Sequence, residues 1–290
     1  MLGFTASAGS VSLRIRSDSI SPTAHLTGYV WHRQGWSHPA LVTPTGRLMY
    51  LGLRPAMLTS SALGGPALED LLVARHRAID QRLAEAIEAG TIGQVIEVAA
   101  GLSPRGWDFS RRYGPRLRYI EADLPSMAEI KRRRLVHAHA LAPGHEIVGL
   151  DALVEQGPQS LAALAARLDP GVGTAIVTEG LLNYFDEAAV RGMWRRFAAA
   201  LGGFRAGLYL SDLHLEQENR GVLARRFVGL LSAFVRGRVH LHFDTVERGA
   251  QALRSSGFRK AVLHRPEALV ALGRPGSGGG AGVRIIEAWR

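Results

Sequence analysis

The sequence predicts an α/β fold: a mainly parallel, Rossmann-like sheet of seven strands with helices on both faces. Two observations carry it. Residues 94–99 and 117–122 are short apolar runs tipped by acids, Glu97 in the first and Asp123 just past the second, with the small-residue turn Ala99-Ala100-Gly101 after the first. Strand, small turn, helix and acid-tipped strand make the first half of a nucleoside-binding unit. The turn admits a ligand to the backbone, and the acid accepts hydrogen bonds from ribose hydroxyls. From residue 94 onward, β-like and α-like runs alternate, as they do when a crossover helix follows each parallel strand.

The elements follow in order. Residues 1–20 have no clear period and read as a frayed or edge segment. Residues 21–66 carry several Pro and Gly with Tyr29, Trp31, Trp36 and Tyr50, an irregular, partly helical cap. Apolar positions Leu68, Leu71, Leu72, Ile79, Leu83, Ala86 and Ile87 fall at helical spacing, and Gly90 closes that helix. Strands are expected at 94–99, 117–122, 146–150, 174–179, 205–211, 258–264 and 282–289. Helices are expected at 104–113, 126–140, 158–168, 186–201, 216–234 and 244–256. The last two strands are joined by the Gly-rich stretch 273–280 without a helix, so one strand near the C-terminus runs antiparallel. Residues 1–70 thus form a cap, and 71–290 a Rossmann-like domain with a lid insertion near 216–243.

Composition narrows the function. With 290 residues, 47% hydrophobic and 21% charged, the chain can bury a sizeable core. It has no cysteine, which removes disulfides, thiolate metal sites and a thiol nucleophile. No basic region leads into an apolar core at the N-terminus, and no apolar run approaches ~18 residues, so a cytoplasmic protein without a membrane partner is expected. The formal charge of +10 raises a nucleic-acid partner as an alternative, but the arginines are scattered. Only Lys131–Arg134 is dense, and on a helix it reads as a solvated face.

The turn is A-A-G, followed by Leu102-Ser103-Pro104-Arg105, and not G-x-G-x-x-G. That argues against cradling a pyrophosphate and for a smaller nucleoside such as S-adenosyl-L-methionine, hence a methyltransferase. Several further blocks then fall into place: S-P-T-A-H-L-T-G-Y-V-W-H-R (21–33), L-L-V-A-R-H-R-A-I-D (71–80), V-I-E-V-A-A-G-L-S-P-R-G (95–106), Y-I-E-A-D-L-P (119–125), L-D-A-L (150–153), T-E-G-L-L-N-Y-F (178–185) and V-R-I-I-E-A-W (283–289). In these blocks the chain resembles the leucine carboxyl methyltransferase family, specifically its bacterial branch of polyketide-type O-methyltransferases. The resemblance spans roughly residues 21–290 and implies the class I methyltransferase fold with S-adenosyl-L-methionine as cofactor.

The resemblance implies a cofactor-binding set of Arg75, Glu97, Ala99, Gly101, Asp123, Leu124, Asp151, Ala152 and Glu179. Arg75, with Arg77 as the alternative, would hold the methionine carboxylate, as suits a planar bidentate donor. Glu179 would face the methionine ammonium, Asp123 the ribose, and Asp151 with Ala152 the adenine. Glu121 shares a strand face with Asp123, which is preferred because it lies nearer the carboxyl end of the strand. A buried Glu97 needs a partner, either the methionine end of the cofactor or a purely structural one. His25, Tyr29, Trp31, Asn183 and Tyr184 would line the acceptor pocket, with Tyr184 and His25 positioning the acceptor and Tyr184 a wall more than an acid or base.

No metal site is read. His240, His242 and Asp244 form H-x-H-x-D without a fourth ligand. His137 and His139 do not share a helix face, and the Gly278–Gly282 run lacks the flanking elements of a phosphate loop. The acceptor is expected to be a small molecule, a carboxylate or hydroxyl of an aromatic or polyketide-like compound. No dominant base stands out beyond His25 and His214, which favours a carboxylate. An RNA methyltransferase or RNA-binding protein, and a catalytically silent scaffold of the same fold, are the rival readings; a homodimer is compatible with an apolar cap.

Overall fold

The computed structural model describes residues 22–62, 68–219, 240–270 and 282–290. Helices α1 (Pro22–Arg33), α2 (Pro44–Ala62) and α3 (Leu68–Glu88) lead into β1 (Gln94–Val98), α4 (Arg105–Tyr113), β2 (Arg118–Asp123), α5 (Pro125–His137) and β3 (His145–Gly149). There follow α6 (Leu161–Ala165), β4 (Thr174–Thr178), α7 (Glu187–Leu201), β5 (Gly207–Leu213), an α8 (Val246–Ser255), β6 (Lys260–His264) and β7 (Arg284–Trp289). The expected segment 1–20, the core of the expected lid and of the helix at 216–234, and the whole Gly-rich connection 273–280 lie outside the described residues.

The seven strands form one sheet in the order β3-β2-β1-β4-β5-β7-β6. Strands β1 to β5 pair in parallel, and β7 runs antiparallel between β5 and β6. The central strands are buried on both faces, which is why their sequences read as nearly unbroken apolar runs. Val95, Tyr119, Val177, Leu210 and Ile285 pack with Ile79 and Leu83 of α3 and Phe109 of α4. Ile96, Ile120, Ile176, Tyr209 and Ile286 pack on the other face with Trp194 and Phe197 of α7 and Leu253 of α8. Side-chain caps start the later helices: Ser160, Asp186 and Thr245 each accept a backbone N–H in the first turn.

The cap is more regular than its Pro and Gly content suggests. Pro22 and Pro44 open α1 and α2, where a missing N–H costs nothing. Gly46 is a packing residue: a Cβ there would fall 2.1 Å from the His25 carbonyl oxygen, so its absence lets α2 cross α1 closely. Leu26, Val30, Trp31, Tyr50, Leu68 and Leu72 form the core between these helices and α3. The expected helix at 158–168 shrinks to five residues. Strand β5 runs two residues further than expected, bringing Asp212 into the sheet.

The dense basic run is a solvated face only in part, since Arg132 and Arg133 are exposed while Lys131 and Arg134 turn inward. Lys131 is buried, its Nζ 2.6 Å from Glu121 Oε2 and donating to the Ser103 carbonyl at 2.7 Å. Arg132 and Arg133 both pair with Glu129, while Arg134 donates to the Ala40 and Val42 carbonyls. No helix among the described residues is long and apolar enough to cross a membrane.

Candidate functional site

The order of strand addition reverses between β1 and β4, which run parallel, with β2 and β3 on one side and β4 and β5 on the other. Ligands of open α/β sheets gather at the carboxyl ends of the strands at such a switch point. The turn after β1 is built for close approach. Ala99 and Gly101 both have positive φ, 56° and 49°. A Cβ on Gly101 would stand 3.3 Å from Ala24 of α1, and one on Gly28 of α1 would stand 3.1 Å from Leu102 Cβ. Helix α1 therefore lies directly over this turn.

Asp123 ends β2 and ties the turn in place. Its Oδ2 accepts the Gly101 N–H at 2.7 Å and its Oδ1 accepts the Leu124 N–H at 2.7 Å. Burial pushes the Asp123 carboxyl up, and the two N–H donors offset this only in part. Each oxygen keeps a further lone pair for a hydroxyl donor. Glu121, its rival, is fully committed elsewhere. It faces Lys131 and, at 3.4 Å, His145, and a Cβ on Gly106 would fall 2.1 Å from its Oε1. Burial opposes its charge, but Lys131 and His145 outweigh burial and lower its pKa.

Around Glu179, just past β4, sits a buried ion network. Arg75 Nε donates to Glu179 Oε1 at 3.0 Å and Arg75 Nη1 to Asp212 Oδ2 at 3.2 Å. Asp212 Oδ1 in turn accepts the Gly180 N–H at 2.7 Å. Gly180 has φ 67°, and a Cβ there would meet Arg75 Nη2 at 3.0 Å. From below, Arg105 Nη2 donates to Glu179 Oε2 at 2.6 Å and Nη1 to Glu97 Oε1 at 2.6 Å, while Nε pairs with Asp80. His76 Nδ1 lies 2.8 Å from Glu179 Oε2. Burial works against the Glu179 charge, yet His76, Arg105 and Arg75 hold its carboxyl well below the usual range. Four carboxylates, Asp80, Glu97, Glu179 and Asp212, thus surround two guanidiniums, a surplus of negative charge that suits a cationic ligand.

Several expected site residues are placed differently. Glu97 is 1% exposed, with Oε2 taking the Tyr119 hydroxyl at 2.8 Å and Oε1 taking Arg105. Both carboxylate oxygens thus have protein partners, and one of them anchors Arg105. Trp31 is 2% exposed and stacks on His76 with ring centroids 4.2 Å apart, so it belongs to the core of the cap and not to a pocket wall. Asn183 is spent on backbone: its Nδ2 donates to the His240 carbonyl at 2.7 Å, and its carbonyl accepts the His240 N–H. Arg77 is exposed, which leaves the guanidinium role to Arg75.

The other expected site residues have the following surroundings. Tyr184 is half-buried and its hydroxyl meets Thr23 Oγ1 of α1 at 2.6 Å, joining the loop after β4 to the cap. His25 Nδ1 lies 2.7 Å from Thr43 Oγ1, and burial, with Arg134 nearby, lowers its pKa. Tyr29 packs against Tyr50 with centroids 5.3 Å apart. Asp151 follows β3 and caps its own loop by accepting the Leu153 N–H at 2.9 Å, and the Ala152 carbonyl accepts from Arg196. His242 Nε2 lies 2.7 Å from the Phe185 carbonyl oxygen. Among the described residues no group of three His, Cys, Asp or Glu could hold a metal ion.

Comparison with known proteins bears on this arrangement. A model of the leucine carboxyl methyltransferase family matches residues 38–198, over half of the chain. The chain belongs to the leucine carboxyl methyltransferase family. The match takes in Arg75, the turn after β1, Asp123, Asp151 and Glu179, and leaves out α1 and β5 to β7. A protein of Streptomyces coelicolor provisionally named an S-adenosyl-L-methionine-dependent methyltransferase is 33% identical over 159 residues, 54% of this chain and 52% of its own length. A similarly named protein of Mycolicibacterium gilvum is 35% identical over 125 residues, 43% of this chain and 39% of its own. The chain spans about half the length of the curated relatives it matches.

Solved structures show the fold. A DUF574-family protein of Streptomyces avermitilis superposes with a TM-score of 0.64 at 16% identity, covering 94% of this chain and 99% of its own. A protein of Thermobifida fusca, provisionally described as a methyltransferase, does so with 0.63 at 13% identity, covering 96% and 98%. The expected class I methyltransferase architecture is the observed one: a seven-stranded, mostly parallel sheet with its antiparallel strand near the C-terminus.

Arg105, Asp80, His76 and Asp212 escaped the sequence reading. Arg105 in L-S-P-R-G was read only as evidence about the turn, and Asp212 was left outside its strand. An arginine four residues past the turn after β1, with Glu97 and Glu179 at neighbouring strand ends, was the available signal.

Proposed function

We propose that this chain is an S-adenosyl-L-methionine-dependent O-methyltransferase acting on a carboxylate or hydroxyl of an aromatic or polyketide-like small molecule. One observation carries the reading. Along four adjacent strands the carboxyl ends present Asp151, Asp123, the Ala99–Gly101 turn and Glu179 in spatial order, over about 14 Å at the usual strand spacing. That order matches adenine, ribose and an amino-acid arm laid end to end. The residues fit such a ligand. Asp123 keeps lone pairs for the ribose, and the acid surplus around Glu179 complements an ammonium beside a positive sulfur. The names of the relatives point the same way.

Bound there, S-adenosyl-L-methionine supplies a methyl group already activated by its sulfonium. The protein's part is then to bind, orient and exclude water. Arg75, fixed by Glu179 and Asp212, is the group for the methionine carboxylate. Residues 22–62 act as the cap, and Tyr184, Tyr29 and His25 orient a flat, largely apolar acceptor. A carboxylate acceptor, ionised at neutral pH with a pKa of about 4, needs no base. For a hydroxyl, His25 is the base, since burial and Arg134 favour its neutral form.

Isothermal titration with S-adenosyl-L-methionine tests the reading. Saturable binding is expected, weakened at least about tenfold in Asp123→Ala by the loss of charge-assisted hydrogen bonds. No saturable binding at millimolar ligand sinks it, and an unchanged affinity in the variant moves the ribose contact away from Asp123.

A further inference from the structure

His76 sits next to Arg75 on α3 and is 2% exposed. Its edge and its faces meet different things. At the edge, Nδ1 lies 2.8 Å from Glu179 Oε2 and 2.9 Å from Arg105 Nη2, and Nε2 lies 3.4 Å from Asp80 Oδ2. On the flat side, Trp31 of α1 stacks at 4.2 Å and 22°. Trp36, in the turn after α1, lies 5.9 Å away and within 9° of parallel. A leucine would fill this space and bond nothing; an asparagine would bond and not stack. Imidazole does both.

We infer that His76 is a positioning residue that couples the cap to the donor site, so that the two substrates bind in order, donor first. This rests on the donor reading above. Glu179 already takes Arg75 on one oxygen and Arg105 and His76 on the other. An ammonium arriving at Glu179 has to share these acceptor positions, and the partner held most loosely is the imidazole, whose second carboxylate, Asp80, stands at 3.4 Å against 3.2 Å and 2.6 Å for those of the two arginines. Trp31 is in face contact with that ring and must follow, carrying α1. The same helix covers the turn at Gly101 and holds Tyr184 through Thr23. The cap residues that orient the acceptor are therefore set by occupancy of Glu179. Such coupling is reciprocal, and roughly five- to 150-fold is typical.

The test uses the full chain labelled with 5-fluorotryptophan, whose five tryptophans give separate fluorine resonances. Trp31→Phe and Trp36→Phe assign the two of interest. S-adenosylhomocysteine, which carries the same ammonium, is the probe. In the unsubstituted protein the Trp31 and Trp36 resonances are expected to shift with the midpoint measured by calorimetry. Trp194, buried on the other face of the sheet, stays still and reports an intact fold in every variant. His76→Phe keeps the stack and loses the bond that the ammonium displaces, so the probe still saturates and both shifts vanish. His76→Asn restores a hydrogen-bonding group without the stack, so the probe saturates while the tryptophans remain unresponsive. Saturation without movement of Trp31 and Trp36 in the unsubstituted protein overturns the coupling, as do undiminished shifts in His76→Phe. A failure to bind the probe at all overturns the donor reading and this inference together.

Discussion

Replacing Arg105 by methionine is the sharpest perturbation the network offers. Methionine keeps most of the stem and removes the charge and every donor. The Arg105 side chain is fully buried, and its loss strips Glu97 and Glu179 of 2.6 Å partners and Asp80 of a third. Breaking a buried ion pair costs about 3–5 kcal/mol, because the remaining charge stays desolvated. Here the low end applies. Glu179 keeps Arg75, Glu97 keeps the Tyr119 hydroxyl, and Asp80, 28% exposed, keeps water. A loss of about 3 kcal/mol corresponds to a drop in melting temperature of roughly 6–12 °C for a domain of this size.

Differential scanning calorimetry at pH 7.5 and pH 5 measures both the drop and its sign. In the unsubstituted protein Glu179 is held well below its ordinary value. Its contribution is therefore complete above about pH 4.5 and is lost only as pH falls through the depressed folded value. Without Arg105, Glu97 is left buried with the Tyr119 hydroxyl as its partner. The drop should be present at both pH values, which lie above the range in which the Glu179 contribution is lost. Adding Glu97→Gln should recover part of the loss, since the orphaned charge is gone. A drop smaller than about 2 °C refutes the network as the mainstay of this region.

Two further outcomes are expected. Ala99 holds φ 56°, where a Cβ costs about 1–2 kcal/mol and glycine does not; Ala99→Gly should raise the urea midpoint by about 0.5–1 kcal/mol after the extra chain entropy of glycine, and an unchanged or lower midpoint contradicts this. Donor affinity, followed by calorimetry between pH 7 and pH 4.5, should fall as Asp123 takes up a proton, earlier than an ordinary aspartate because its pKa is raised; Asp123→Asn should bind weakly with a flat profile, and equal slopes in both proteins place the titrating group elsewhere.

The strand ends were legible because their chemistry is local. An acid at the tip of an apolar run and a turn of small residues are both properties of a few consecutive positions, so Asp123, Gly101 and Glu179 could be picked out by eye. What could not be read was where a charge would find its partner. Glu97 and Glu179 lie 82 positions apart, yet Arg105 joins them, and Arg75 reaches Asp212 across the sheet. Trp31 misled for a related reason. Its ring could cover a pocket or fill a core, and the choice is made by His76 on another helix. The Pro and Gly of the cap misled differently, since both residues break helices in the interior but serve at a first turn or a close crossing.

The position of β7 has a consequence for how the chain is made. It lies between β5 and β6, and among the described residues β6 pairs with no other strand. Until residues 284–289 leave the ribosome, the flank of β5 stays open and β6 lacks this partner, although the strand ends that carry Asp123 and Glu179 have already been synthesised. An unpaired apolar edge is what recruits stray strands from other molecules. The nascent protein thus passes through a stage at which its chemistry is assembled while its sheet still has a vacancy, and its demand for chaperones during synthesis should be concentrated in that interval.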